Sequence, residues 1–261
     1  MQKSTSKHIT YTVLGSGTSS GVPTIGCGCP TCTSTDARDK RLRASLLIQT
    51  EGTNLVIDTS PDFRQQMLTY NIDRLDGILY THPHFDHIGG FDDIRGLNFV
   101  MRQSVNIYAN QFTVDRIKQS FYYAFETPEQ LGGGVPMCDI HIIDDAPFRV
   151  NELEIIPIFM KHGILPVIGY RIGNLAYCTD VNFIPESEYH KLKNLDALII
   201  GGLRYTPHPT HFSIDEAIEE SNLFKPKQTY ITHLAHQVKH STAILPNNVQ
   251  LAFDGLKIEL E

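Results

Sequence analysis

Short apolar runs, separated by glycine, proline and charged residues, recur along the whole chain. Their lengths and their content of valine, isoleucine and tyrosine are typical of β-strands. The predicted strands cover residues 9–14, 45–49, 54–57, 77–80, 105–108, 140–143, 153–159, 168–172, 175–178, 197–200 and 229–232. Two further runs, 250–253 and 256–260, flank Asp254-Gly255, a pair suited to a tight turn. We therefore expect a β-hairpin over residues 250–260.

Helical patterns lie between these strands. Ser213 and Glu216 match a capping box, and apolar or small residues at 217, 218, 221 and 224 fall on one side of the following helix. Residues 63–70, 112–125 and part of 87–101 also read as helical. Because strands alternate with helices, and the chain shows neither a repeat nor a linker, we predict one α/β domain over residues 1–261.

Composition excludes several classes of protein. The chain has 261 residues, of which 41% are hydrophobic and 20% charged, which is ordinary globular composition. Its net charge of -7 counts against a stable nucleic-acid partner. No apolar run approaches the roughly 18 residues of a membrane span, and the polar start lacks the apolar core of a secretion signal. With its crowded cysteines, the chain is expected in the reducing cytoplasm, without a membrane partner.

One segment concentrates metal-ligand side chains. A predicted strand ends at Thr81 and is followed by His82, His84, Asp86 and His87. Alternate side chains of an extended stretch point the same way, so the first three can converge, and a turn into a helix would add the fourth. Burying three imidazoles and a carboxylate together is costly unless a cation pairs with them. This spacing predicts a metal centre.

The motif His-x-His-x-Asp-His resembles the signature of the metallo-β-lactamase superfamily, and the resemblance covers nearly the whole chain. It implies an α/β fold of the four-layer αββα sandwich type. It also implies three more ligands at strand ends, which His162, Asp180 and His233 match. The implied division places His82, His84 and His162 on one metal and Asp86, His87 and His233 on the other, with Asp180 shared.

This ligand set indicates hydrolytic chemistry. Nitrogen and oxygen ligands suit zinc or manganese, and the residues do not choose between the two. Two divalent cations and a bridging hydroxide would leave a weakly positive site that attracts an anionic phosphodiester and supplies a nucleophile at neutral pH. Superfamily relatives that reduce oxygen with paired iron carry a carboxylate at the position of His84. The histidine therefore favours a hydrolase, in which Asp86 serves both as ligand and as a catalytic residue.

A second cluster is rich in sulfur. Cys27, Cys29 and Cys32 form Cys-x-Cys-x-x-Cys, three soft ligands in a turn shaped by glycine and proline. A structural zinc ion needs four ligands, so one must come from elsewhere. His236 is the best candidate and His240 the next. Free buried thiols or a redox loop are the alternative interpretation.

The cysteine motif distinguishes branches of the superfamily. Together with residues 14–23, 57–64 and 232–236, it resembles the phosphoribosyl cyclic phosphodiesterase (PhnP-like) branch of bacterial phosphonate breakdown. That resemblance implies a homodimer that hydrolyses small cyclic phosphodiesters, either 2′,3′-cyclic nucleotides or a ribosyl cyclic phosphate. A tRNA 3′-processing endonuclease is an alternative, although its long basic arm is not found here. A non-hydrolytic metal-binding protein, like protein B of pyrroloquinoline-quinone biosynthesis, is another.

The same branch uses a histidine near the metals to assist the leaving group. His211 matches best, and His208 is the rival. Either would donate a proton to the departing ribose oxygen or bind the phosphate. Asp58 closes a strand and is expected either to support the histidine segment or simply to end that strand.

Overall fold

The computed structural model describes residues 8–126 and 134–260. Most of the polar start considered above, residues 1–7, lies outside the described residues. Within the described residues, fourteen strands form two seven-stranded sheets. The first sheet has the order β14-β1-β2-β3-β4-β5-β6, with β1 (Ile9–Gly15), β2 (Ser45–Gln49), β3 (Asn54–Ile57), β4 (Gly77–Leu79), β5 (Val105–Ala109), β6 (Cys138–Ile142) and β14 (Lys257–Leu260).

In the second sheet each strand lies beside its neighbours in sequence, in the order β13-β12-β11-β10-β9-β8-β7. Its strands are β7 (Phe148–Val150), β8 (Leu153–His162), β9 (Leu165–Ile172), β10 (Leu175–Cys178), β11 (Ala197–Gly201), β12 (Gln228–Thr232) and β13 (Val249–Leu251). The sequence pattern predicts all of these except β7, a strand of only three residues. So short a run carries little periodicity.

In the part of the chain that the structure describes, five α-helices cover the outer faces of the sheets. They are α1 (Phe63–Thr69), α2 (Phe85–Ile88), α3 (Ile94–Met101), α4 (Gln111–Ser120) and α5 (Ile214–Phe224). The predicted capping box begins α5: the Glu216 backbone N–H donates to Ser213 Oγ and the Ser213 N–H donates to Glu216 Oε2. No helix within the described residues is long and apolar enough to cross a membrane.

Alternation of side chains along the strands creates the layers. In β2, Leu46 and Ile48 face the core between the sheets, whereas Leu47 faces the side covered by α1, α3 and α4. In β11, Ile199 faces the same central core and Ile200 faces the side covered by α5. Apolar residues on both faces of a strand require cover on both sides. The result is the predicted αββα sandwich.

The predicted C-terminal hairpin is wrong. β13 pairs in parallel with β12 in the second sheet, whereas β14 pairs antiparallel with β1 in the first. Asp254 is not merely a turn residue, because its carboxylate accepts hydrogen bonds from Ser16 N, Ser16 Oγ and Leu42 N at 2.9, 2.8 and 2.7 Å. The two strands are separated because each pairs with a distant strand in a different sheet, which a local turn propensity could not reveal.

Strand ends from both sheets meet at one edge of the sandwich. β3 and β4 are parallel, as are β10, β11 and β12. The residues at three of these ends, Asp58, Asp180 and His233, have left-handed backbone angles with φ of 64°, 50° and 59°. Ile168 N donates to Thr81 O across the gap between the sheets at 3.0 Å. Unfavourable backbone angles at non-glycine residues concentrate at functional sites, and all three residues belong to the cluster described next.

Candidate metal centre

The histidine segment follows β4 and is held by Asp58 at the end of β3. Asp58 accepts hydrogen bonds from the backbone N–H of Thr81 at 2.8 Å and from its hydroxyl at 2.8 Å. The same carboxylate accepts the Nδ1 proton of His87 at 2.7 Å. All of these groups are buried. Of the two roles predicted for Asp58, supporting the histidine segment or simply ending the strand, the structure thus favours the first.

Hydrogen bonds at Nδ1 aim the Nε2 atoms of three histidines. The Thr81 hydroxyl donates to Asp58, so it accepts from His82 Nδ1 at 2.9 Å. His87 donates through Nδ1 to Asp58, and His162 donates through Nδ1 to the carbonyl of Thr210 at 2.6 Å. A neutral imidazole with its proton on Nδ1 has its lone pair on Nε2. This is the tautomer that binds a metal through Nε2.

One group of possible ligand atoms surrounds Asp86 and Asp180. Together with His87 and His233, these residues place their ligand atoms within 4.8 Å of one another. His87 Nε2 lies 3.2 Å from Asp86 Oδ2 and 3.2 Å from Asp180 Oδ2, and His233 Nε2 lies 3.1 Å from Asp180 Oδ1. Within the described part of the chain, neither buried Nε2 has a hydrogen-bond partner. A cation between these atoms would satisfy them.

The remaining predicted ligands lie on the other side of Asp180. His82 Nε2 is 3.1 Å from His84 Nδ1 and 4.0 Å from Asp180 Oδ1. The ring centroids of His84 and His162 are 5.2 Å apart. The structure therefore brings all seven predicted ligands into one cluster, with Asp180 between the two sets.

His211 and His208 occupy different positions. His211 belongs to a group with His162 and Asp180 whose ligand atoms lie within 4.8 Å, and its ring stacks on His233 at 4.9 Å. The His208 ring lies 5.1 Å beyond that of His211. His211 thus lines the cluster itself, at a distance where it could also bind a cation, and His208 stands one ring farther out.

Charges in the cluster call for a cation. Burial works against ionising Asp180, but His233 and His87 outweigh it and hold the pKa of that carboxyl well below its usual range. Burial also disfavours the charged form of His87, yet Asp180 and Asp86 raise its pKa well above the usual value. Without a metal, His87 Nε2 therefore holds a proton, which an ion bound there would replace to give the neutral tautomer described above. For His211, burial and then the neighbouring His233 lower the pKa to about 3, so this imidazole is neutral at pH 7.

The cysteine cluster also assembles. Cys27, Cys29, Cys32 and His236 place their ligand atoms within 4.8 Å of one another. His236 Nδ1 is 3.2 Å from Cys27 Sγ and 3.4 Å from Cys29 Sγ. Hydrogen bonding from the Cys32 backbone is the main cause that lowers the pKa of Cys29 to about 6, which favours a thiolate. Four ligands in this arrangement fit a structural zinc ion.

His240, the alternative fourth ligand, points elsewhere. Its backbone N–H donates to Asp39 at 2.8 Å, and its ring packs against Phe253.

The segment between His233 and His236 joins both clusters. Buried Arg41 holds this segment by donating to the carbonyls of Ala235 and Val238 at 3.2 and 2.8 Å.

Two partners of the ligands are absent from the sequence prediction. Thr81 directly precedes the histidine motif, and its place at a strand end was the only signal for its role. The Thr210 carbonyl carries no sequence signal, because every residue type has a backbone carbonyl that could supply this oxygen. Both act through the Nδ1 atoms of His82 and His162.

Comparison with known proteins agrees with this geometry. The family model described as a beta-lactamase superfamily domain matches residues 53–234. A crystal structure of a new diphosphatase from the PhnP family is 41% identical, with a TM-score of 0.90 and 97% of each chain covered. Human short-form tRNase Z, at 17% identity and a TM-score of 0.68 over 95% of this chain and 98% of that one, shares the fold.

Curated relatives carry two different names. An octanoyltransferase from Porphyromonas gingivalis is 41% identical over 251 residues, covering 94% of this chain but 50% of the relative, so the chain spans half its length. Coenzyme PQQ synthesis protein B from Methylobacterium nodulans is 31% identical over 226 residues, covering 73% of this chain and 71% of the relative. From the family model and the 41% identical structure, the chain belongs to the metallo-β-lactamase superfamily and, within it, to the PhnP family.

Proposed function

We propose that this protein is a metal-dependent phosphodiesterase that hydrolyses small cyclic phosphodiesters, such as 2′,3′-cyclic nucleotides or a ribosyl cyclic phosphate. The proposal rests on one observation, that hydrogen bonds fix the orientation of three histidine rings in the cluster. His82, His87 and His162 each use Nδ1 in a hydrogen bond. Nε2 of His82 lies 4.0 Å from Asp180 and Nε2 of His87 lies 3.2 Å from Asp86, and His162 shares a group of possible ligand atoms with Asp180.

The superfamily fold implies divalent metal binding, and these residues fit it. One ion would be held by His82, His84 and His162, and the other by Asp86, His87 and His233, with Asp180 shared. When bound, such ions supply Lewis acidity toward the phosphoryl oxygens and a nucleophile at neutral pH. Asp58 and Thr81 keep the imidazoles oriented, so little reorganisation is needed on metal binding.

We assign His211, which lies beside Asp180 and His162, to contact with the substrate phosphoryl group. Its pKa of about 3 makes it a poor reservoir of protons at pH 7. A neutral imidazole can still donate one N–H hydrogen bond to a phosphoryl or leaving-group oxygen. Of the two roles considered for this position, phosphate binding is therefore the one that the metal-free electrostatics support.

A diphosphate substrate is the second candidate, because the PhnP-family structure at 41% identity is described as a diphosphatase. Both reactions displace a leaving oxygen at phosphorus, so one centre could serve either. A large polyanion such as tRNA is disfavoured by the net charge of -7.

A substrate panel tests the proposal. Protein loaded with zinc or manganese is assayed on adenosine 2′,3′-cyclic phosphate, ribose 1,2-cyclic phosphate, ADP-ribose, a precursor tRNA and bis(p-nitrophenyl) phosphate. We expect cyclic phosphodiester cleavage that is lost on chelation, restored by metal and abolished by Asp86→Asn, whereas Asp115→Asn on the exposed face of α4 retains it. Cleavage of ADP-ribose alone would select the second candidate, and no hydrolysis by any metal-loaded form would refute both.

A further inference from the structure

Backbone hydrogen bonds join three segments beside the metal cluster. Lys161 N donates to Phe183 O and Asn182 N donates to Lys161 O, both at 2.9 Å. On the other side, Phe212 N donates to Val181 O at 2.8 Å. The segment after β10 is therefore fixed between the end of β8 and the loop before α5. Each of the three segments carries one member of a group of possible ligand atoms.

The Asn182 side chain bridges the two outer segments. Its Oδ1 accepts from Gly163 N at 2.7 Å, and its Nδ2 donates to Pro209 O at 3.2 Å. The two bonded residues are the chain neighbours of His162 and Thr210. The bridge therefore flanks the hydrogen bond from His162 Nδ1 to the Thr210 carbonyl. A carboxamide offers both an acceptor and a donor on one planar group, whereas a carboxylate can only accept.

The turn after β8 packs directly against the loop before α5. Gly163 has a left-handed φ of 63°, and a Cβ on it would lie 2.8 Å from Thr210 Cγ2. Glycine is therefore required at this contact. The residue after Thr210 is His211, whose ring centroid is 4.3 Å from that of His162. A shift of the loop would thus change both the hydrogen bond at His162 Nδ1 and the position of His211.

We propose that Asn182 is a positioning residue that fastens the loop before α5 to the end of β8, and so sets the free nitrogen of His162 and the place of His211. The part of the inference that concerns turnover rests on the proposed function, whereas the part that concerns His162 does not. In Asn182→Asp the carboxylate still accepts from Gly163, but it opposes the Pro209 carbonyl with a second acceptor. We expect the loop to move away from His162 in this variant and in Asn182→Ala.

Nuclear magnetic resonance of the zinc-loaded full chain tests the bridge without turnover. The His162 Nδ1 proton, which the Thr210 carbonyl accepts at 2.6 Å, should exchange slowly with solvent. We expect this exchange to become about tenfold faster in Asn182→Asp and Asn182→Ala. The His87 Nδ1 proton, which Asp58 accepts, is the internal reference and should not change.

Asn174→Ala is the matched control. The exposed Asn174 side chain donates to Asp196 at 3.2 Å, at the opposite end of β10 from Asp180. Its removal should leave both the exchange of the His162 proton and turnover at the wild-type values.

Kinetics add a readout that a general loss of stability would not produce. At saturating metal, Asn182→Asp should lower kcat for bis(p-nitrophenyl) phosphate by about tenfold, with KM close to the wild-type value, because His211 is displaced from the phosphoryl group. A higher KM at unchanged kcat would contradict the displacement of His211.

The outcomes separate this proposal from the proposed function. Unchanged exchange of the His162 proton in both Asn182 variants, or an equal change in Asn174→Ala, would overturn the positioning role. Fast exchange of that proton in wild type would also overturn it, and this measurement holds even if a substitution disturbs folding. Faster exchange in the Asn182 variants, with no hydrolysis by wild type, would support the positioning role and count against the proposed function.

Discussion

Replacing Asp58 with asparagine tests how the metal centre is oriented. The Asp58 carboxylate accepts three hydrogen bonds, from Thr81 N, Thr81 Oγ1 and His87 Nδ1, all between 2.7 and 2.8 Å. An asparagine oxygen can still accept from the Thr81 backbone, but its amide then directs N–H groups at the hydroxyl and at His87. His87 would have to accept through Nδ1 and carry its proton on Nε2. That proton would occupy the position of the lone pair offered to a metal.

The expected magnitude follows from the loss of one oriented ligand. Replacing a carboxylate that orients a metal-binding histidine costs about 10–100-fold in metal affinity or activity. Affinity is measured by competition with a chromogenic chelator, and hydrolysis of bis(p-nitrophenyl) phosphate is followed at saturating metal. We expect weaker metal binding in Asp58→Asn, with activity partly recovered when excess metal is added.

Asp254→Asn is the matched control. Asp254 is also a largely buried carboxylate that accepts three hydrogen bonds, but its donors are Ser16 and the Leu42 backbone rather than a histidine. This variant should change stability and leave metal affinity near the wild-type value. Unchanged metal affinity in Asp58→Asn, or an equal loss in both variants, would refute the assigned role of Asp58.

Three further predictions concern separate parts of the molecule. Cys29→Ser should lower Tm and remove one zinc per chain, whereas Asp86→Ala should abolish hydrolysis with little change in Tm. Elemental analysis and thermal melts measure both effects. Equal losses of zinc and of stability in the two variants would show that the two clusters do not have separate roles. His211→Ala should lower kcat by about 10²-fold at unchanged metal content, because a hydrogen-bond donor to the phosphoryl oxygens is lost, and normal turnover would contradict that contact. Burial raises the pKa of Asp254 from 3.8 to about 6 in the folded state. Its contribution to stability is therefore full below pH 4 and lost as the pH rises through 6, so denaturant titrations should show wild type losing roughly 2–3 kcal/mol relative to Asp254→Asn across that interval.

Several elements were predictable because their signals are local. The capping box of Ser213 and Glu216 places the start of α5, and β2, β3 and β10 have the predicted bounds. The wrong C-terminal hairpin has the opposite cause. Asp254 and Gly255 favour a turn locally, but the flanking strands pair with β12 and β1 in different sheets, and Asp254 accepts from Leu42 N, 212 residues away.

The metal roles of the clustered residues stay predictions, but their sequence basis differs. The histidine motif spans six positions, so any turn after the strand keeps His82, His84, Asp86 and His87 together. His162, Asp180 and His233 were assigned through family resemblance, because nothing in their local sequence says that they meet.

The sequence by itself determined the short-range features: the strand and helix pattern, the compact ligand motif and the three neighbouring cysteines. Residues within a few positions of each other stay close in almost any fold, so their chemistry is readable without coordinates. The tertiary structure alone decided which nitrogen of His87 and of His162 is free, since Asp58 is 29 residues from His87 and Thr210 is 48 from His162. It also separated His211 from His208 and chose His236 over His240. Those outcomes depend on hydrogen-bond partners that packing of the two sheets brings together, and no local pattern contains them.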